Sequence, residues 1–84
     1  MRVLGKDRFA ESYRVAVDLD GTQVVGRVPD ALLSAQYGTD ARVSHTAAYE
    51  WIEAKAADLQ TAIATLHRGG TPRAPFDQIT LDAP

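Results

Sequence analysis

Residues 12–28, SYRVAVDLDGTQVVGRV, contain the pattern that decides the fold. The first half alternates hydrophobic and polar side chains, which is the period-two pattern of a half-buried β-strand. Asp20 and Gly21 are residue types that tolerate the positive φ angles of a type I′ turn. A second strand is predicted from Thr22 to Val28. The stretch therefore predicts a β-hairpin that reverses direction at Gly21.

The register of this hairpin follows from its two-residue turn. Val17 then lies opposite Val24, and Arg14 lies opposite Arg27. One face of the hairpin carries the large apolar side chains, which are Tyr13, Val15, Val17, Leu19, Val24 and Val28. A shift of one residue would scatter this set over both faces. The sequence thus predicts the pairing of the two strands as well as the turn between them.

A short helix is predicted directly after the hairpin. Pro29 ends the second strand because it cannot donate to a β-ladder. Asp30 is then a suitable N-cap for a helix over 31–37, and Gly38 is suited to end it. A polar connection over 38–44 follows.

A long helix and two further strands complete the predicted fold. The helix runs from about 44 to 68 and has a hydrophobic stripe with a spacing of three and four residues, namely Ala48, Ile52, Ala56, Leu59, Ile63 and Leu66. Phe76 to Leu81 is predicted as a last strand with Ile79 and Leu81 inward, and Arg2 to Leu4 as an edge strand. The expectation is an α+β fold in which a small antiparallel sheet packs against one long and one short helix.

Length and composition narrow the class of protein. The 84 residues fit a single domain, 1–84, and the lack of cysteine excludes disulfides, thiolate metal sites and thiol nucleophiles. No apolar run reaches the ~18 residues of a membrane span, and the N-terminus lacks the apolar core of a signal peptide. A cytoplasmic protein that does not enter a membrane is expected. The net charge of −2 does not favour nucleic acid as a partner.

The stretch VAVDLDGT, residues 15–22, resembles the first motif of haloacid dehalogenase-type phosphatases. That resemblance would make Asp18 the nucleophile and Asp20 the general acid/base, with Thr22 completing the motif. The rest of that machinery is not found, because the one lysine after the motif is Lys55 in mid-helix, and 84 residues cannot hold the required parallel strands. The interpretation as a turn is therefore preferred, and a minimal phosphotransferase is kept as a distant alternative.

The remaining residues show no catalytic or metal-binding pattern. His45 and His67 stand at opposite ends of the predicted long helix, ~33 Å apart, so they cannot share a metal within one chain. No serine has a histidine and a carboxylate at a suggestive spacing. The sequence predicts a protein that is not an enzyme and that needs neither a metal nor a cofactor.

Two arginines form the first candidate binding site. Arg14 and Arg27 lie opposite each other on the outer face of the predicted hairpin, where like charges are destabilising unless they are neutralised. A carboxylate from the helix or from Asp77 could neutralise them. The alternative is that they present a basic spot to an acidic partner or a phosphate.

Aromatic and acidic residues of the long helix form the second candidate site. It consists of Tyr49, Glu50, Trp51 and Glu53. Packing in the core is the default interpretation for Trp51. If it is exposed instead, Trp51 and Tyr49 would anchor an interface, because aromatic residues dominate binding hot spots.

Taken as a whole, the chain resembles a family of small bacterial proteins known only as domain of unknown function number fourteen eighty-eight. The similarity spans roughly residues 9–82. It rests on the hairpin around Asp20-Gly21, on VPDALLSAQYG at 28–38, and on FDQITLD at 76–82 after a long helix. The resemblance implies an α+β fold and no established activity.

A second resemblance is to HicB-type antitoxins. It rests on the hairpin, on VPD at 28–30 and on GGTPRAP at 69–75. The chain departs from these antitoxins over 31–37, where a helix is predicted and they have a third strand. It also ends without their DNA-binding extension. The resemblance implies binding to a toxin protein.

These observations favour a small protein that acts by stoichiometric binding to a macromolecular partner, expected to be a protein. A regulator or inhibitor fits this class, including a phage-encoded inhibitor of a bacterial defence complex. A HicB-like antitoxin is the alternative. Formation of a homodimer, through the sheet edge or the aromatic part of the helix, is also open because small domains often need added burial.

Overall fold

The computed structural model describes residues 1–38 and 43–82. Four strands form one antiparallel sheet in chain order, namely β1 (Arg2–Asp7), β2 (Ser12–Leu19), β3 (Thr22–Pro29) and β4 (Thr80–Leu81). Three α-helices cover one face of the sheet, namely α1 (Asp30–Tyr37), α2 (His45–Ala54) and α3 (Ala56–His67). The predicted α+β fold is confirmed, and β1 is the N-terminal edge strand.

The central hairpin has the predicted register and turn. Val17 pairs with Val24, and Arg14 pairs with Arg27. Asp20 and Gly21 both have positive φ angles, 52° and 83°, as a type I′ turn requires. The predicted apolar face is the inner one, because all its large side chains are buried or packed against the core.

Gly26 brings α3 close to the sheet. It lies on the inner face of β3, opposite Val15. A Cβ atom placed on Gly26 would lie 2.7 Å from Cδ1 and 2.8 Å from Cγ1 of Ile63. The missing side chain therefore makes room for Ile63, which is fully buried in the core.

The predicted long helix is present as two helices that meet at Lys55. This residue has φ −105° and ψ 18°, outside the helical range. The backbone ladder continues across it, since its N–H donates to the Trp51 carbonyl and its own carbonyl accepts from Leu59. A straight helix of 24 residues would be about 36 Å long, whereas eight-residue strands span only about 27 Å. The interruption at Lys55 divides the predicted helix into helices of 10 and 12 residues, each shorter than these strands.

The C-terminal segment is less extended than the sequence predicts. Phe76–Gln78 form a 3₁₀ turn, and only Thr80–Leu81 are a strand. The Phe76 ring in this turn packs against that of Trp51, at a centroid distance of 6.1 Å. Ile79 is buried and Leu81 packs against the core, so the predicted inward pair is confirmed.

Helix α1 starts without the predicted side-chain cap. Pro29 occupies the N-cap position, and the carboxylate of Asp30 instead forms an ion pair with Lys6, with 2.7 Å between Nζ and Oδ2. Gly38 ends the helix at φ 65°, as predicted. Of the predicted polar connection over 38–44, residues 39–42 lie outside the described residues.

Candidate functional site

The two opposed arginines on the outer face of the sheet share one carboxylate. Arg14 donates from Nε to Oδ2 of Asp82 at 3.0 Å. Arg27 donates from Nε and Nη2 to Oδ1 of Asp82, at 3.1 and 2.6 Å. Asp82 follows β4 and reaches this face because its N–H bonds to the carbonyl of Val25. The repulsion between the arginines is therefore offset within the chain.

A second carboxylate, from the end of the edge strand β1, extends this cluster across the same outer face. Nη1 of Arg27 lies 2.9 Å from Oδ2 of Asp7, at the end of β1. The sequence predicted a carboxylate from the helix or from Asp77, whereas those present are Asp7, at the end of β1, and Asp82, directly after β4. The four residues Asp7, Arg27, Asp82 and Arg14 are called the ion-pair network below.

The network shifts the pKa values of Asp82, Asp7 and Arg27. The hydrogen bond from Arg27 lowers the pKa of Asp82, and Arg14 lowers it further. The pKa of Asp7 is lowered first by the backbone N–H of Ala10 and then by Arg27. Hydrogen bonds to Asp82 and Asp7 raise the pKa of Arg27. The network therefore favours the charged forms of Asp7, Asp82 and Arg27.

The lowered pKa values predict a loss of stability in acid. Above 3.8, the ordinary value for an aspartate, the ionised forms of Asp7 and Asp82 stabilise the folded state. As the pH falls below 3.8 towards the lowered folded values, the unfolded chain takes up protons first, so the free energy of unfolding decreases. The asparagine variant of Asp82 should be less stable than the wild type at about pH 7 and should lose less between about pH 5 and pH 2.

Urea unfolding at several pH values measures this effect. The matched control is Asp18→Asn, which removes an exposed carboxylate of β2 that lies outside the ion-pair network. The control should follow the wild-type pH dependence more closely than the Asp82 variant does. Equal pH dependence in all three proteins would contradict the role of Asp82.

The turn between β1 and β2 is ordered by the same Asp7. Its Oδ1 atom accepts hydrogen bonds from the N–H groups of Phe9 and Ala10, at 3.0 and 3.3 Å. Glu11 closes the turn with a positive φ of 48°, and its carbonyl accepts from the N–H of Asp30 at 2.9 Å. Side-chain and backbone contacts thus hold both ends of the turn.

Phe9 stands at the tip of this turn and is fully exposed. Its relative exposure is 103%, which means that the fold covers none of the side chain. Other large hydrophobic residues at the surface, such as Leu4 and Tyr37, are less than half exposed. The ring of Phe9 is therefore exposed to solvent on a turn that hydrogen bonds keep in place.

An aromatic cluster lies beneath the turn, on the inner side of the sheet. The hydroxyl of Tyr13 and Nδ1 of His45 are 2.8 Å apart and share a hydrogen bond. The ring of Tyr49 meets that of Tyr13 edge-on, with 5.7 Å between their centroids. Nζ of Lys6 lies 5.5 Å from the centre of the Tyr13 ring. This cluster joins the start of α2 to the end of the sheet that carries Phe9.

The structure separates the residues of the predicted helix site. Trp51 is only 8% exposed and packs in the core, which is its default interpretation. Tyr49 is 39% exposed, and Glu50 and Glu53 are exposed beside it. The arginine pair and these helix residues lie on opposite sides of the sheet, so they do not form one site.

The aspartates of the phosphatase-like motif lie in and beside a turn. Asp18 is exposed and pairs with Gln23, and both neighbours of β2 are antiparallel to it. The phosphatase family places its nucleophile among parallel strands, so the structural setting differs. Within the described ranges, no three histidine or acidic residues are grouped to hold a metal ion, and no helix is long and apolar enough to cross a membrane.

No family model, curated protein or solved structure matches the chain. The predicted opposition of Arg14 and Arg27 is confirmed, whereas Phe9 was not among the predicted site residues. The signal for Phe9 was an aromatic residue inside the short polar segment between two strands, DRFAE at 7–11.

Proposed function

We propose that this protein acts without catalysis, by stoichiometric binding to a protein partner, and that Phe9 anchors the complex. The observation that carries the proposal is the full exposure of this ring on an ordered turn. Binding energy at protein interfaces is concentrated in a few residues, often aromatic, that enter pockets of the partner. A partner that encloses Phe9 would remove from water an apolar surface that the fold itself leaves uncovered.

The order of the turn supports binding over a merely tolerated surface residue. Two backbone hydrogen bonds to the Asp7 carboxylate and one from Asp30 to the Glu11 carbonyl fix the backbone on both sides of Phe9. Glu11 adopts a left-handed conformation, which is uncommon for residues other than glycine and asparagine. A turn fixed before association loses less conformational entropy when the complex forms, so more of the contact energy appears as affinity.

The charge distribution favours a protein partner over nucleic acid. Arg14 and Arg27 are paired with carboxylates, so the outer face of the sheet does not present the basic spot that a phosphate backbone needs. Within the binding class, the proposed role is that of a regulator or inhibitor. An inhibitor encoded by a phage against a bacterial defence complex and an antitoxin both belong to this class, and a second copy of the chain is the alternative occupant.

Site-specific photocrosslinking tests the proposal. A photoreactive phenylalanine at position 9 should crosslink, in the host cell, to one protein in a defined ratio. The same amino acid in place of Gln60, exposed on α3, is the control and should give no such product. A single product that contains only this chain would identify a homodimer. Absence of a specific product at position 9 would contradict the proposal.

The affinity of the identified partner gives the quantitative prediction. Phe9→Ala should weaken binding by about 30-fold or more, the effect that defines a hot spot. The substitution should leave the free energy of unfolding almost unchanged, because the fold does not cover the ring. Calorimetric titration of wild type, Phe9→Ala and Gln60→Ala measures both the stoichiometry and the affinity. Equal affinity of Phe9→Ala and wild type would contradict the anchoring role.

A further inference from the structure

A single carboxylate joins the turn that carries Phe9 to the ion-pair network. Oδ1 of Asp7 accepts the two backbone hydrogen bonds of the turn, and Oδ2 lies 2.9 Å from Nη1 of Arg27. Rotation of the Asp7 carboxylate about its Cβ–Cγ bond would break the turn contacts of Oδ1 and the Arg27 contact of Oδ2 together. The orientation that orders the turn is therefore the orientation that the arginine favours.

We infer that Arg27 is a positioning residue for the Phe9 turn, which it orders through the carboxylate of Asp7. Its guanidinium is planar and uses all three of its nitrogens, since Nε and Nη2 bond to Asp82 while Nη1 bonds to Asp7. Two carboxylates on opposite sides hold this plane, and the plane in turn holds Asp7. A lysine at the same place would supply one point charge and could not reproduce the geometry.

Arg14 does not share this role, although it belongs to the same network. Among the described residues, its bonding partner is Asp82, reached through Nε and Nη2 at 3.0 and 2.9 Å. Loss of Arg14 leaves the contacts between Arg27 and both carboxylates in place. The two opposed arginines thus have different effects on the turn, and Arg14 is a matched control for Arg27.

The consequence for binding rests on the proposed function. If the turn is looser before association, the partner must order it, and that cost lowers the affinity. Substitution of Arg27 should therefore weaken binding without removing the anchoring ring. The effect should be smaller than that of Phe9→Ala, because the apolar contact itself is retained.

Amide hydrogen exchange, followed by NMR on the protein alone, tests the positioning role. In Arg27→Gln and in Arg27→Lys, the N–H groups of Phe9 and Ala10 should exchange about tenfold faster than in wild type, because both depend on the orientation of Asp7. In Arg14→Gln they should exchange at the wild-type rate. The amide of Val17, in the central hairpin, reports on global opening in each variant. Faster trypsin cleavage after Arg8 in the Arg27 variants would be a second sign of a loosened turn.

Two outcomes would overturn the inference. One is equal exchange at Phe9 and Ala10 in the Arg27 and Arg14 variants, after correction for global opening. The other is unchanged exchange in both Arg27 variants. The measurement needs no partner, so its failure is distinguishable from failure of the proposed function, which photocrosslinking and Phe9→Ala test separately.

Discussion

Replacing Ile63 with alanine is expected to lower the free energy of unfolding by about 2–5 kcal/mol. Ile63 is fully buried on α3 and packs on the backbone of Gly26 in β3. Its removal would leave a cavity between helix and sheet, and the backbone of the sheet cannot collapse to fill it. At about 0.05–0.15 kcal/mol per residue, a domain of this size has only about 4–13 kcal/mol of stability in total. The variant should therefore lose a large fraction of its stability.

Gly26→Ala tests the same contact from the side of the sheet. The new methyl group would lie 2.7 Å from Cδ1 of Ile63, a distance at which something must move. Overpacking of this kind costs about 1–3 kcal/mol. In the double variant the alanine methyl group can enter the space that Ile63 vacates. The combined loss of stability should therefore be smaller than the sum of the two single losses.

Urea unfolding of the two single variants and the double variant measures this coupling. Leu32→Ala, an equally buried residue of α1, is the control. Its combination with Gly26→Ala should cost nearly the sum of the separate effects. Additive losses for the Ile63 pair would show that the two residues do not compete for the same space.

The hairpin could be predicted from the sequence because its determinants are local. Alternation of apolar and polar residues assigns the faces of each strand, and Asp20-Gly21 fixes the turn type. The register even places Gly26 on the inner face. Its contact with Ile63 could not be predicted, because the position at which a helix crosses a sheet depends on the packing of both elements.

The candidate site shows the same limit. The opposition of Arg14 and Arg27, and the need for a carboxylate near them, both follow from the hairpin register. The partners Asp7 and Asp82 come from strands near opposite ends of the chain, whose pairing with the hairpin has no local sequence signal. Phe9 was missed because one aromatic residue in a turn has no periodic pattern. Its full exposure is a property of the folded turn.

The break of the helix at Lys55 could not be predicted from the periodicity of apolar residues. Apolar residues at spacings of three and four define a helical face but not whether the helix is straight. The break lies four residues after Trp51, whose ring packs against Phe76.

Replacing Trp51 with alanine is accordingly expected to lower the free energy of unfolding by about 3–5 kcal/mol. Trp51 is largely buried, and its ring packs against Phe76, which belongs to the turn before β4. Loss of the ring would create a large cavity and remove the contact that holds the Phe76 turn on the helices. Trp51→Phe keeps an aromatic contact with Phe76 and should lose a smaller part of the stability.

Tyr49→Ala is the matched comparison, because Tyr49 is an aromatic residue two positions away on the same helix but more exposed. It should lose less than Trp51→Ala, since Tyr49 is 39% exposed and meets Tyr13 only edge-on. Circular dichroism during urea unfolding measures all three variants without depending on tryptophan fluorescence. Because Trp51 lies in the core, Trp51→Ala should be much less stable than Tyr49→Ala. Equal and small losses in both would mean that Trp51 does not support the fold.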